Sequence, residues 1–178
     1  MHVVESIAHL SKVDLYRALQ KQLAALFVAE RNGIANAANM SALLYDALPD
    51  VNWAGFYFLQ GRELVLGPFQ GKVACVRIAL GRGVCGAAAE RRETVIVADV
   101  SSFPGHIACD VASRSEIVVP LIHQGQLKGV LDLDSSQLNR FDPNDGIGLK
   151  AAADLLLDSS DLPEPTLARG PTRNSAGS

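Results

Sequence analysis

The sequence predicts an α+β domain in which helices pack against a mostly antiparallel sheet. Three observations lead to this fold class: two helical patterns in the first part of the chain, β-rich runs joined by tight turns in the middle, and one further helical pattern after them. With 178 residues, the chain is most simply one domain with a sizeable core. We expect the domain to span residues 1–158 and residues 159–178, rich in Pro, Gly, Ser and Thr, to form a flexible tail.

Helical periodicity is clearest near the start of the chain. Apolar residues spaced by three and four over residues 12 to about 30 predict an amphipathic helix, which Asn32-Gly33 is expected to end. An Ala-rich second helix is expected from about residue 34 to 48, ahead of a proline. The last helix is expected over 142–157, where Pro143 suits the first turn.

Two hairpins are the main β signals. Each consists of two β-rich runs that flank a short glycine-containing turn, at Gln60-Gly61-Arg62 and at Gln124-Gly125. Two further strands are expected between the hairpins, and Cys75 lies in the first of them. The predicted strands are 51–59, 63–69, 72–80, 94–98, 117–122 and 126–134.

Two loop segments each carry a cysteine. Residues 81–86 form a glycine-rich turn with Cys85 just ahead of a short helix, whose positive end would make the thiol more acidic. The G-x-G-x-x-G spacing of this turn matches the dinucleotide fingerprint, but no βαβ context surrounds it, so we expect no nucleotide cofactor. Residues 99–113, with Cys109, are expected to form a loop.

Composition excludes several classes of function. The chain is 48% hydrophobic and 20% charged, which is ordinary for a globular protein. A net charge of -3 with no basic stripe argues against a nucleic-acid partner. No window approaches the roughly 18 apolar residues that a membrane span needs. The first residues carry an acid where a secretory signal has basic residues, so we expect a cytoplasmic protein.

Three cysteines, at 75, 85 and 109, are an odd number in a chain too large to depend on disulfides for its fold. They contain no C-x-x-C pair, and His106 and His123 form no familiar zinc spacing, so we expect no metal site. Buried inert thiols and redox chemistry both remain open at this point.

Cys109 has the strongest local argument for chemistry. His106 precedes it and Arg114 follows it, and either cation would stabilise a thiolate, the nucleophilic form. Acids nearby would have the opposite effect on the pKa of the thiol. Such acids suit an enzyme that must also deliver a proton, because a carboxyl with a raised pKa can act as a general acid.

The acids in question are Asp110, Glu116, Asp132 and Asp134. Residues two apart on a strand share a face, so Asp132 and Asp134 are expected to point the same way. The alternative is that the two aspartates occupy an exposed strand face without a catalytic role.

Trp53 and Tyr57 are expected to share one face of the first strand, with Gly55 between them. They are either core residues or the wall of an apolar pocket for a small ligand, with the glycine leaving room. Phe56 points to the other face and is expected in the core.

Four segments together resemble the free methionine-(R)-sulfoxide reductases, which are built on a GAF fold. The resemblance covers roughly residues 14 to 157, and all three cysteines fall at the family's positions. The matching segments are NGIANAANMSALLYDALPDVNWAGFYFL, LGPFQGKVACVRIALGRGVCGAAAE, HIACDVASRSEIVVPL and GVLDLDS.

The resemblance implies reduction of free L-methionine-(R)-sulfoxide to methionine, an activity that repairs oxidative damage. It implies that Cys109 is the catalytic cysteine, Cys75 the principal resolving cysteine and Cys85 an additional one. Trp53 and Tyr57 match residues around the methyl-sulfur end of the substrate.

The resemblance also implies that Glu116, Asp132 and Asp134 bind the substrate and polarise the sulfoxide. Val111 and Arg114 depart from the family's pattern beside the nucleophile, which shifts the expected environment of the thiol without removing the activity.

The chemistry of a sulfoxide fits these residues. Its reduction needs a thiolate to attack the sulfur and a proton for the oxygen. Asp134 is the expected proton donor, and Glu116 and Asp132 are expected to hold the ammonium group. The resulting cysteine sulfenic acid would form a disulfide, which thioredoxin would reduce. No metal, flavin or nucleotide is required.

Two expectations remain beside this hypothesis. The alternative function is a non-catalytic GAF module that binds a small ligand or senses redox state. A homodimer formed through the N-terminal helices is also expected.

Overall fold

Six strands form one antiparallel sheet in the computed structural model, which describes residues 10–105 and 112–163. The strand order is β3-β2-β1-β6-β5-β4, so the two long hairpins β1-β2 and β5-β6 meet through β1 and β6 at the centre. The strands are β1 Val51–Gln60, β2 Glu63–Gly71, β3 Arg77–Ala79, β4 Val95–Val97, β5 Ser115–His123 and β6 Gln126–Ser135. The expected α+β class with a mostly antiparallel sheet is confirmed.

Four helices and one 3-10 turn, Val100–Ser102, complete the described part of the chain. The Asn32 side chain accepts hydrogen bonds from the backbone N–H groups of Ile34 and Ala35. Asn32-Gly33 therefore begins the second helix rather than ending the first, because an asparagine at this position caps free N–H groups. The helices are α1 Lys12–Phe27, α2 Gly33–Ala47, α3 Gly83–Arg91 and α4 Pro143–Ser159.

The two faces of the sheet carry separate hydrophobic cores. Helices α1, α2 and α4 cover one face, where Phe56 is buried as expected together with Ile117 and Leu131. Helix α3 covers the other face, where Trp53 and Tyr57 are buried. The period of two along each strand produces this division.

The third strand is shorter than the sequence predicts. It comprises only residues 77–79, and Cys75 lies in the loop before it, half-buried. The backbone bond from the Leu66 N–H to the Val76 carbonyl closes this ladder at 3.0 Å. Two residues further along β2, Pro68 has no N–H to donate, so the ladder does not extend past it.

The turn that carries Cys85 is also different from the prediction. Helix α3 begins at Gly83, so Cys85 lies within its first turn rather than in a flexible loop ahead of it. The side chain is only 4% exposed because α3 packs directly on the sheet. Among the described residues, no helix is both long and apolar enough to cross a bilayer.

A buried ion network joins α1 to α4. Asp145, which is fully buried, accepts a hydrogen bond from the Tyr16 hydroxyl at 2.8 Å and forms ion pairs with Lys12 and Arg140. Tyr16 also lies against Gly148, where an added Cβ would be 2.2 Å from the tyrosine ring. The start of α4 is thereby fixed to α1 by partners far away in the sequence.

Candidate functional site

A cavity opens on the α3 side of the sheet and collects six of the residues that the sequence singled out. Its volume is about 520 Å³ including its open mouth. Asp132 and Asp134 both line this cavity, so the expectation that they point to the same face of the sheet is confirmed. The six residues are Trp53, Tyr57, Cys85, Glu116, Asp132 and Asp134.

Sheet register brings these side chains together. Asp134 on β6 lies directly opposite Trp53 on β1 and Glu116 on β5, so one row across three strands carries an aromatic residue and two acids. The next row on the same face places Asp132 opposite Gly55. Directly opposed residues share a face of the sheet, which is why residues far apart in the chain line one cavity.

The aromatic wall of the cavity is rigidly held. The Trp53 ring stacks on Tyr57 with centroids 6.0 Å apart and on Phe69 with centroids 5.4 Å apart. Its indole N–H donates to the Lys72 carbonyl at 3.1 Å. Sequence reasoning missed Phe69, although the β1-β2 hairpin register places it directly opposite Gly55.

Gly55 is required by this wall. A Cβ at this position would lie 2.3 Å from the Phe69 Cβ and 2.7 Å from an edge carbon of the Trp53 ring. Distances of this kind are not tolerated by real side chains, so the glycine gives both rings their positions.

Two of the acids are buried and hold their protons unusually strongly. Burial raises the pKa of Glu116 well above its usual range, and the charges of Asp132 and Asp134 raise it further. Burial raises the pKa of Asp132 to about 7. Because one ionised acid hinders ionisation of the other, the pair retains protons near neutral pH.

Cys85 lies beside this pair. Its thiol donates to the Glu116 carboxyl across 3.9 Å. Burial raises the pKa of the thiol well above its ordinary value, and the charges of Asp132 and Glu116 add to that effect. The expectation that the start of α3 makes this thiol acidic is therefore wrong, because burial and neighbouring acids outweigh the helix dipole.

The positive end of α3 also faces the cavity. Arg82 and Gly83 line it, and the Arg82 side chain makes no capping hydrogen bond to the helix. Arg82 is the one cationic side chain among the described residues of the lining. This edge suits a negatively charged group of a ligand, whereas the acidic edge suits a proton acceptor or a cation.

The remaining predicted residues do not all enter the cavity. Cys75 lies in the loop 72–76, whose Val73 and Ala74 do line it. Arg114 is exposed. Cys109, with its neighbours His106, Asp110 and Val111, lies outside the described residues, so its predicted role stays a prediction.

Comparison with known proteins places the chain in a family. The family model described as "GAF domain" matches residues 36–156. The free methionine-R-sulfoxide reductase of Escherichia coli is 52% identical over 141 residues, which cover 79% of this chain and 86% of that protein.

Solved structures give the same result. The free methionine-R-sulfoxide reductase of Neisseria meningitidis, solved with its substrate, is 44% identical with a TM-score of 0.85, covering 89% of this chain and 95% of that one. A putative GAF sensor protein of Burkholderia vietnamiensis is 56% identical with a TM-score of 0.83, covering 85% of this chain and 96% of that one. The chain thus belongs to the GAF-domain family of free methionine-R-sulfoxide reductases.

Proposed function

We propose that this protein reduces free L-methionine-(R)-sulfoxide to methionine, with Cys109 as the nucleophile. The observation that carries the proposal is the combination, in one cavity, of an aromatic wall with buried carboxyls that keep their protons near neutral pH. A sulfoxide has an apolar methyl-sulfur end and a basic oxygen, and the cavity offers a partner to each.

The binding mode follows from the distribution of charge. The methyl-sulfur end packs against Trp53 and Tyr57, whose stacked rings present an apolar surface. The substrate carboxylate lies toward Arg82 and the start of α3. Asp134, which is less buried than Asp132, holds the ammonium group.

The proton for the sulfoxide oxygen comes from the pair Glu116 and Asp132. The sequence favoured Asp134 as donor, but a donor must hold a proton at working pH, and burial supports this property for the pair. A pKa of about 7 for Asp132 is close to the optimum for general-acid catalysis near neutral pH.

The redox step proceeds through the thiols. The Cys109 thiolate attacks the sulfoxide sulfur, the oxygen is protonated and transferred to the cysteine, and methionine leaves as the reduced product. The cysteine sulfenic acid then condenses with the Cys75 thiol, releasing water and forming a disulfide. Thioredoxin, a dithiol, reduces this disulfide and is itself oxidised.

Cys85 contributes less to resolution than Cys75. Its thiol is buried beside two acids that keep it protonated, and a protonated thiol is a poor nucleophile. Cys75 lies in a loop and is half-buried, which favours it as the first partner of a sulfenic acid.

A coupled assay with thioredoxin, thioredoxin reductase and NADPH tests the proposal, using both sulfoxide configurations of free and of peptide-bound methionine. We expect NADPH oxidation with the free R form only. Cys109→Ser should abolish turnover, Cys75→Ser should stall after about one turnover, and Cys85→Ser should retain multiple turnover. Full multiple turnover by Cys109→Ser would overturn the proposal.

Thiol titration separates this function from a non-catalytic GAF sensor. An enzyme without external reductant loses thiols when methionine sulfoxide is added, because each turnover oxidises two cysteines. A module that only binds the ligand loses none.

A further inference from the structure

We propose that the cavity is also a binding site for a thiophilic divalent cation of the zinc class, held by Cys85, Glu116 and Asp132. Each residue offers one ligand atom, and the three atoms all lie within 4.8 Å of one another. The residues come from α3, β5 and β6, so the site is absent from the spacing pattern of the sequence and exists only in the fold.

The distance between two of the three ligand atoms is close to that in a zinc site. A sulfur and an oxygen bound to one tetrahedral Zn²⁺ at ordinary bond lengths are about 3.5 Å apart. The Cys85 Sγ and the Glu116 Oε1 are 3.9 Å apart, so a shift of about 0.4 Å would bring them to coordination distance. Small rotations of the two side chains supply such a shift.

Asp132 provides an independent indication of a ligand. The residue is 6% exposed, yet its Oδ1 atom has no hydrogen-bond partner among the described residues. A buried polar atom without a partner costs free energy, and native proteins rarely retain one unless a ligand or water completes it. A cation held between Asp132 and Cys85 would give this oxygen the partner that it lacks.

The ligand set selects the type of cation. One thiolate and two carboxylates suit Zn²⁺ and similar ions, whereas Mg²⁺ and Ca²⁺ prefer oxygen ligands alone. Three protein ligands leave a fourth position directed to the cavity, where water completes a tetrahedron. Binding replaces the protons of the thiol and carboxyls, so the cation neutralises a cluster that otherwise depends on them.

The consequence for activity is competition, and this part alone rests on the proposed function. A cation that uses Glu116 and Asp132 removes the proton donors and occupies the space of the sulfoxide oxygen. Zn²⁺ should therefore act as a reversible inhibitor that competes with the substrate, and a chelator should restore activity.

Titration of the reduced, metal-free protein with Co²⁺, followed by absorption, tests the site without any activity measurement. We expect one equivalent to bind with a thiolate-to-cobalt charge-transfer band in the near ultraviolet, and Zn²⁺ but not Mg²⁺ to displace it. Cys85→Ser should remove the band. Glu116→Gln and Asp132→Asn should each weaken Zn²⁺ binding by at least about tenfold.

Cys75→Ser and Cys109→Ser are the matched controls and should keep the band. Cys85→Ala provides a second test if the serine variant does not fold. The proposal is overturned if the reduced protein binds no Co²⁺, if the Cys85 variants keep the band, or if Cys109→Ser alone removes it. Failure of the coupled assay with intact Co²⁺ binding would instead reject the proposed function and leave the cation site in place.

Discussion

Asp145 and Asp132 lie on opposite sides of the sheet, and the protein compensates their charges in different ways. Asp145 is fully buried and accepts hydrogen bonds from Tyr16, from the Asp142 backbone N–H and from Arg140, in addition to its ion pair with Lys12. Asp132 is almost as buried, but its described neighbours are an acid and a thiol, and one of its oxygens has no partner.

The difference separates a structural acid from a functional one. Asp145 has two cations and several donors, so its charge is compensated and it fixes the packing of α4. Asp132 lies beside a thiol and a second acid instead, and burial raises its pKa. An uncompensated buried acid is costly to folding, and such sites are where proton transfer or ligand binding is usually found.

The largest effect is expected when the compensated acid is removed. Asp145→Asn leaves Arg140, whose side chain is 9% exposed, without its buried partner. We expect the free energy of unfolding in urea to fall by about 3 kcal/mol. Asp154→Asn is the control, since its pair with Lys150 is exposed, and it should change the free energy by less than about 0.5 kcal/mol. Equal effects of the two substitutions would contradict the comparison.

Substitution of Asp132, the uncompensated acid, should affect turnover much more than stability. Asp132→Asn keeps the shape but removes the ionisable group, so we expect the free energy of unfolding at pH 7 to change by less than about 1 kcal/mol. Turnover in the coupled assay should nevertheless fall by about 100-fold or more, because a proton donor is lost. A loss of stability as large as that of Asp145→Asn would show that Asp132 is structural.

The aromatic wall beside Asp132 should be sensitive to crowding. Gly55→Ala introduces a Cβ that must displace Phe69 or Trp53, and we expect a loss of about 2 kcal/mol in the free energy of unfolding together with a raised KM. Gly146→Ala in α4 is the control. Its Cβ would meet Thr94 at an ordinary 3.6 Å, so we expect a gain of about 0.5 kcal/mol.

The smallest effect is expected from pH. The pKa of Asp132 is about 7 in the folded protein, above the value of about 4 for an unfolded chain, so the folded state binds more protons between these limits. Stability is therefore lost as pH rises through this window. Glu116, Cys85, Asp134 and Arg82 face the same cavity, and the pKa of Glu116 shifts in the same direction.

Urea unfolding at pH 5 and pH 7.5 measures this loss. We expect the wild-type protein to lose at least about 1 kcal/mol more than Asp132→Asn over this interval. Identical pH dependence of the two proteins would mean that Asp132 ionises normally.

The sequence predicts local features of this fold well and long-range ones poorly. Both hairpins follow from their turn residues, and the facing of Asp132 and Asp134 follows from the period of two. The length of β3 does not follow from local sequence signals, because Pro68 on the neighbouring strand β2 interrupts the hydrogen-bond ladder. Helix α3 begins at Gly83, earlier than predicted, and Gly83 has a φ of 60°, a backbone conformation that glycine adopts without strain.

The chemical state of the acids is also invisible in the sequence. Asp132 and Asp145 have the same residue type, and only tertiary contacts distinguish them. Lys12 is close to Asp145 in space but far from it in the chain, and Cys85 is similarly remote from Asp132. Burial and pairing, rather than composition, therefore decide which acid holds a proton.

The central pairing of β1 with β6 has a consequence for folding. Each hairpin forms from local contacts, but the row of Trp53, Asp134 and Glu116 exists only after the two hairpins join. Such pairing has a high contact order and is slow compared with hairpin closure. A partly folded chain would therefore have its cysteine at position 85 before it has the cavity that buries this thiol.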